Sequence, residues 1–151
     1  MVQLPFLIFA DMKQAESQED DVSIEGMRIL LAEDNELNME IAEFLLTNAG
    51  AEITKASNGK EAVEAFAKSG VGEINVILMD IIMPVMDGLE ATREIRTMNR
   101  SDASAVVIIA MTANAFAEDK SKALKAGMDE YLTKPLESEK LIRALSRYKH
   151  N

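Results

Sequence analysis

The sequence contains no cysteine. Disulfides and thiolate–metal sites are therefore excluded, and a reducing compartment is permitted without being required. No apolar run approaches the roughly 20 residues that cross a bilayer, so no membrane contact by this segment is expected. A basic excess is also missing: the net charge is -10, whereas a free-standing nucleic-acid binder carries a basic patch. No direct contact with nucleic acid is expected, and the expected location is the cytoplasm, whether or not a parent protein is membrane-anchored. What remains is a chain of 151 residues, long enough for one domain with a sizeable core. Its charge is uneven. Six acids outweigh Lys13 in residues 1–26, while four Lys/Arg outweigh two Glu from Glu137 onward.

Met1 to Ala10, MVQLPFLIFA, is apolar around Pro5. It reads as an edge strand or as an unstructured apolar leader, and it is too short and uncharged at its start for a signal peptide. Asp11 to Glu25 is acidic and lacks apolar periodicity, as a linker does. The domain boundary is expected near Gly26, dividing the chain into 1–10, 11–26 and 27–151.

From Met27 the pattern is regular. Strands are expected at 28–32, 51–56, 74–79, 105–111 and 128–133, and helices at 36–48, 60–69, 88–98, 115–126 and 137–148. The first helix is expected to bury Leu37, Ile41 and Leu45, with Ala42 and Leu46 widening the stripe. Strand–helix alternation with continuous Ile/Leu/Val strands implies α/β architecture: a single doubly wound (βα)5 parallel sheet covered on both faces. The flavodoxin-like order 2-1-3-4-5 is one of two common choices, and its switch point would bring the ends of strands 1 and 3 together.

The chemistry centres on VILMDIIMPVMDG (76–88), where Asp80 closes a buried strand. Glu33 and Asp34 end strand 1. Three carboxylates gathered at one point repel one another and lose water, so something positive belongs among them. Oxygen donors with room for water fit magnesium, and one carboxylate could serve as a nucleophile toward phosphorus. The alternative is that Glu33 and Asp34 cap the first helix. Thr112, ending strand 4, either donates a hydrogen bond to a phosphoryl oxygen or caps the next helix. Lys134, ending strand 5, either pairs with the carboxylates and an added phosphoryl group or is an ordinary solvated lysine.

ILLAEDN (29–35), VILMDIIMPVMDG (76–88), IAMTANA (109–115) and YLTKP (131–135) together resemble the receiver domain of two-component response regulators. The resemblance spans Met27 to Tyr148 and implies the flavodoxin-like receiver fold. It implies that Asp80 accepts a phosphoryl group from a histidine kinase dimerisation domain or a histidine phosphotransfer domain. It further implies that Asp34, Asp80 and the backbone carbonyl of Ile82 bind Mg2+ directly, with Glu33 acting through water. Thr112 matches the switch hydroxyl, Tyr131 the switch aromatic, and Lys134 the catalytic lysine, whose bond to Pro135 is commonly cis in the family. AEDNELNMEIAEFLL (32–46) is similar to receivers of hybrid sensor kinases, and Val2 to Phe6 is similar to the end of a kinase ATP-binding domain. The implied setting is the carboxyl-terminal receiver of a hybrid histidine kinase. The pattern leaves oligomeric state open, with a monomer as the starting point.

The implied chemistry is self-phosphorylation at Asp80 followed by slow self-dephosphorylation. Positions Ile82 and Asn114 modulate hydrolysis in related receivers, and neither side chain here is a base. The competing class is an aspartyl-nucleophile phosphatase or phosphotransferase on a related fold, which wants an acid where Ile82 stands. A flavin carrier needs a phosphate-cradling loop where Glu33-Asp34-Asn35 would repel phosphate. Site residues separate these classes, since fold alone does not.

Overall fold

The computed structural model describes residues 22–113 and 117–149. The edge strand expected within 1–10 and most of the expected linker lie outside these residues, as does Asn114. The described chain alternates β1 (Arg28–Ala32), α1 (Glu36–Asn48), β2 (Glu52–Ala56), α2 (Gly59–Lys68), β3 (Val76–Asp80), α3 (Gly88–Arg96), β4 (Val107–Thr112), α4 (Ala117–Ala126), β5 (Glu130–Thr133) and α5 (Ser138–Ser146). All neighbouring strands pair in parallel, in the order β2-β1-β3-β4-β5.

Successive side chains of a strand point to opposite faces, and both faces are covered. Leu30, Ile77, Met79 and Ile108 face one layer with Phe66 of α2, Ile95 of α3 and Ala123 of α4. Ile29, Leu31, Leu78 and Ile109 face the other, with Ala42 and Leu46 of α1 and Leu141 and Leu145 of α5. Every residue of β3 is buried, which is why its sequence shows no polar alternation. The edge strands differ: β2 is exposed at Glu52, Thr54 and Lys55, and no residue of β5 is fully buried.

The expected buried stripe of α1 is corrected. Leu37 and Ile41 are exposed, at 64% and 46%, and Phe44 with them at 65%; Leu45 is half-buried, and Ala42 and Leu46 face the sheet. Residues 37, 41 and 44 form one helical stripe and 42 and 46 a second beside it, so apolar periodicity fits either face. The third helix also ends earlier than its pattern suggests, at Arg96, with the Thr97 N–H bonded to the carbonyls of the last turn.

The start of the packed chain lies upstream of Gly26. Ile24 is fully buried among Met27, Ile29, Leu46 and Leu145. Gly26, at φ +79°, turns the chain, and its N–H donates to the Gly50 carbonyl at 2.8 Å.

Two glycines set the frame of the β3–α3 loop. A Cβ on Gly88 would overlap the Asp80 carbonyl, and one on Gly59 would overlap that of Met86. Gly88 thus lets α3 begin hard against the end of β3, and Gly59 seats the loop on the start of α2. Between them Val85 sits at φ +70°, a strained conformation for a β-branched residue and one that clusters at functional loops.

Candidate phosphoacceptor site

Asp80 is the last residue of β3 and 6% exposed. Its Oδ1 accepts the Ile82 N–H at 3.2 Å, and its Oδ2 accepts Lys134 Nζ at 2.8 Å. Glu33, just beyond β1, is 3% exposed. Its Oε1 accepts Lys134 Nζ at 2.6 Å and its Oε2 accepts the Asn35 N–H at 3.2 Å. One ammonium therefore bridges two buried carboxylates. Asp34 is exposed at the rim, and carboxylate oxygens of all three acids lie within 4.8 Å of one another.

The capping alternative for Glu33 and Asp34 does not hold. Asn35 is the N-cap of α1, its side-chain oxygen accepting the Asn38 N–H at 2.9 Å. Lys134 is likewise no solvated surface lysine, its side chain being 18% exposed.

Thr112 ends β4 and is 6% exposed. Its carbonyl accepts the Lys134 N–H at 2.8 Å, tying the loop after β5 to the end of β4, and the Lys134–Pro135 peptide is cis. Tyr131 pairs with Ala110, two residues before Thr112 on the same face of the sheet, and is half-buried with Lys120 Nζ 4.6 Å above its ring. The Ile82 amide reaches Asp80, while the residue as a whole is 73% exposed. Every other site residue expected from the sequence converges on this end of the sheet; Asn114 is outside the described residues.

The electrostatics follow from three acids facing one cation. Burial pushes the Glu33 carboxyl above the usual carboxylate range, and the Asp80 charge adds to this against hydrogen bonds from Lys134 and Asn35. For Lys134, burial works to lower the pKa, but hydrogen bonds to Asp80 and Glu33 outweigh it, and the pKa rises. Both groups hold their protons more tightly than usual, Glu33 chiefly because it is buried and Lys134 because two carboxylates accept from it. Hard oxygen donors with uncompensated charge fit a divalent cation of the magnesium type.

Two features escape sequence reading. One is the exposed stripe of Leu37, Ile41 and Phe44, flanked by the site. A shallow cleft of about 80 Å³ lined by Glu33, Asn38, Ile41, Lys134, Pro135 and Leu136 joins that stripe to the acids. The other is the Lys120–Tyr131 contact. No spacing signal marks either, because both depend on how helices sit against the sheet.

The sequence profile of the response regulator receiver domain matches residues 29–146. Hybrid signal transduction histidine kinase I of Dictyostelium discoideum is 40% identical over 121 residues, covering 79% of this chain and 7% of that protein. The chain thus spans a small fraction of that relative's length. The receiver domain of a sensor histidine kinase from Pseudomonas aeruginosa, solved with magnesium coordinated in its active-site cleft, is 41% identical with a TM-score of 0.74, covering 82% of this chain and 97% of that one. The receiver domain of Saccharomyces cerevisiae Ssk1, in complex with the histidine phosphotransfer protein Ypd1, is 30% identical with a TM-score of 0.72, covering 82% of this chain and 89% of that one. The match to the profile spans every strand and helix around the carboxylate–lysine cluster, and the chain belongs to the response regulator receiver domain family of two-component phosphorelay systems.

Proposed function

We propose that Asp80 is the phosphoacceptor of this receiver, taking a phosphoryl group from a phosphohistidine. An Asp80 carboxylate oxygen attacks phosphorus, the phosphorus–nitrogen bond breaks, and its electron pair leaves with the imidazole. The observation that carries this reading is the single ammonium of Lys134 held at 2.6 Å from Glu33 and 2.8 Å from Asp80. It keeps the Asp80 carboxylate oriented at rest and stays within reach of phosphoryl oxygens afterwards. Thr112, at the end of the adjacent strand, supplies a hydroxyl for the same oxygens, and Tyr131 follows its movement. Asp34, Asp80 and the Ile82 carbonyl would hold Mg2+, with Glu33 acting through water. When bound, the ion would offset charge on the phosphoryl oxygens.

The partner we infer is a phosphohistidine-bearing helix of a histidine phosphotransfer or dimerisation domain. The Leu37–Ile41–Phe44 stripe beside the site supports this, since an exposed apolar patch next to the chemistry marks a docking surface. The kinship with hybrid kinases supports a role inside such a relay in the cytoplasm. None of the described helices is long and apolar enough to cross a membrane. An aspartyl phosphatase is disfavoured, because Ile82 stands where it needs an acid and Ile82 can neither polarise water nor donate a proton. The same property underlies a proposed slow self-dephosphorylation. I82N should speed loss of the phosphoryl group; an unchanged decay would reject that lifetime reading.

The test of the main reading is intact mass after incubation with Mg2+ and a small phosphodonor. Wild type should gain one phosphoryl group and D80N none. Equal labelling of D80N would sink the assignment.

A further inference from the structure

Tyr131 sits on the edge strand β5 and packs, partly buried, against the core layer containing Ala110, Ala123 and Met128. Lys120, in the first half of α4, stands over the ring with Nζ 4.6 Å from the centroid. The acids next to Tyr131 in sequence are engaged elsewhere. Asp129 accepts Arg96 Nη2 at 2.9 Å and the Ile108 N–H at 2.8 Å. Glu130 accepts Arg147 Nη2 at 2.5 Å and the Tyr148 hydroxyl at 2.9 Å. Among the described residues Lys120 makes no ion pair, so the aromatic face is its partner. The contact joins α4 to the strand position two residues removed from the Thr112 register.

We propose that Lys120 is a positioning residue whose ammonium holds Tyr131 in its resting place and so sets how readily phosphorylation of Asp80 is passed to the α4–β5 surface. The proposal rests on the reading of Asp80 as phosphoacceptor. A cation over a ring is attracted by the quadrupole of its face, and the attraction is lost when the ring turns away. A contact made in one state only shifts the balance between the two states by its own strength. For a partly exposed pair that is about two- to five-fold. By linkage, a protein freed of the contact should be phosphorylated at correspondingly lower donor concentration.

The sequence has no tryptophan and two tyrosines, Tyr131 and Tyr148. In a Y148F background, tyrosine emission therefore reports Tyr131 alone. The experiment titrates acetyl phosphate with Mg2+ held constant, reading Asp80 label by intact mass and Tyr131 emission in parallel. K120M, which keeps the aliphatic stem and removes the charge, should lower the half-saturating donor concentration about two- to five-fold. K120R should stay near wild type. In a Y131L background K120M should have no effect, a result that a merely structural role for Lys120 would not give. An unshifted K120M titration overturns the proposal, as does an equal shift with and without the ring. Failure of wild type to label at all overturns the phosphoacceptor reading and the proposal with it. Normal labelling with no K120M effect overturns only the role of Lys120.

Discussion

The two ends of the sheet handle cations in opposite ways. At the carboxyl end of the strands one lysine faces three carboxylates, and the surplus negative charge stays unmatched. At the other end two arginines, Arg96 and Arg100, are fully engaged. Arg96 donates to the carbonyls of Gly127, Ala103 and Val106 at 2.9, 3.0 and 2.6 Å and to Asp129 at 2.9 Å. Arg100 donates to the carbonyls of Phe66, Ser69 and Gly70 and to Asp102, with its guanidinium 4.2 Å over the Phe66 ring. A planar fork with five donors suits a staple that must satisfy several fixed carbonyls. A compact ammonium on a flexible stem suits a site where the partner oxygens change. Matched charge marks the scaffold, and unmatched charge marks the chemistry.

Breaking the scaffold end should have the largest effect. R96A removes the side-chain donor from three loop carbonyls and one of the two partners of the Asp129 carboxylate. It should lower unfolding stability in urea by about 3 kcal/mol while leaving Asp80 labelling intact under native conditions. A loss below about 1 kcal/mol would show the staple to be ornamental. Ile24 belongs to the same end. I24A should cost about 2–3 kcal/mol through the cavity it leaves, so a boundary drawn at Gly26 would cut into the core; an unchanged midpoint would restore Gly26 as the edge.

At the other end the sign reverses. D34N removes one member of a repelling cluster, so in magnesium-free buffer it should raise the melting temperature by about 1–2 °C. It should also lose the stabilisation that magnesium gives wild type. A melting curve indifferent to magnesium in wild type would refute the surplus-charge account. The smallest expected effect is on acid stability. Hydrogen bonds from Arg100 hold the Asp102 carboxyl below its usual range, against the opposing effect of burial. A depressed folded pKa gives stability that is present above the unfolded value of about 3.9 and is lost as pH falls through the folded value. D102N should flatten that acid limb of the stability–pH curve. An identical limb in both proteins would place the acid sensitivity elsewhere.

Much of this was legible in the chain. The order β2-β1-β3-β4-β5, one of two common choices, became readable once the four motifs were recognised together. Glu33, Asp34, Asp80, Thr112 and Lys134 were legible because each ends or follows a strand, whereas Tyr131, inside β5, was marked only by the family resemblance. α1 was not legible in the same way. Its thirteen residues carry apolar side chains on two adjoining stripes, and periodicity cannot say which one meets the sheet. Arg96 and Arg100 were invisible as staples because most of their partners are backbone carbonyls, which no residue identity reveals.

The sequence by itself determined the alternation of elements, the burial of the central strands and the acids, hydroxyl and lysine at strand ends, because these are set by local period and by the residue at a strand's last position. Only the tertiary structure decided that Leu37, Ile41 and Phe44 face outward, that Ile24 completes the core, and that Lys120 covers Tyr131. Those outcomes depend on distances between elements far apart in the chain, which the packing of helices on a twisted sheet fixes and one-dimensional pattern does not carry.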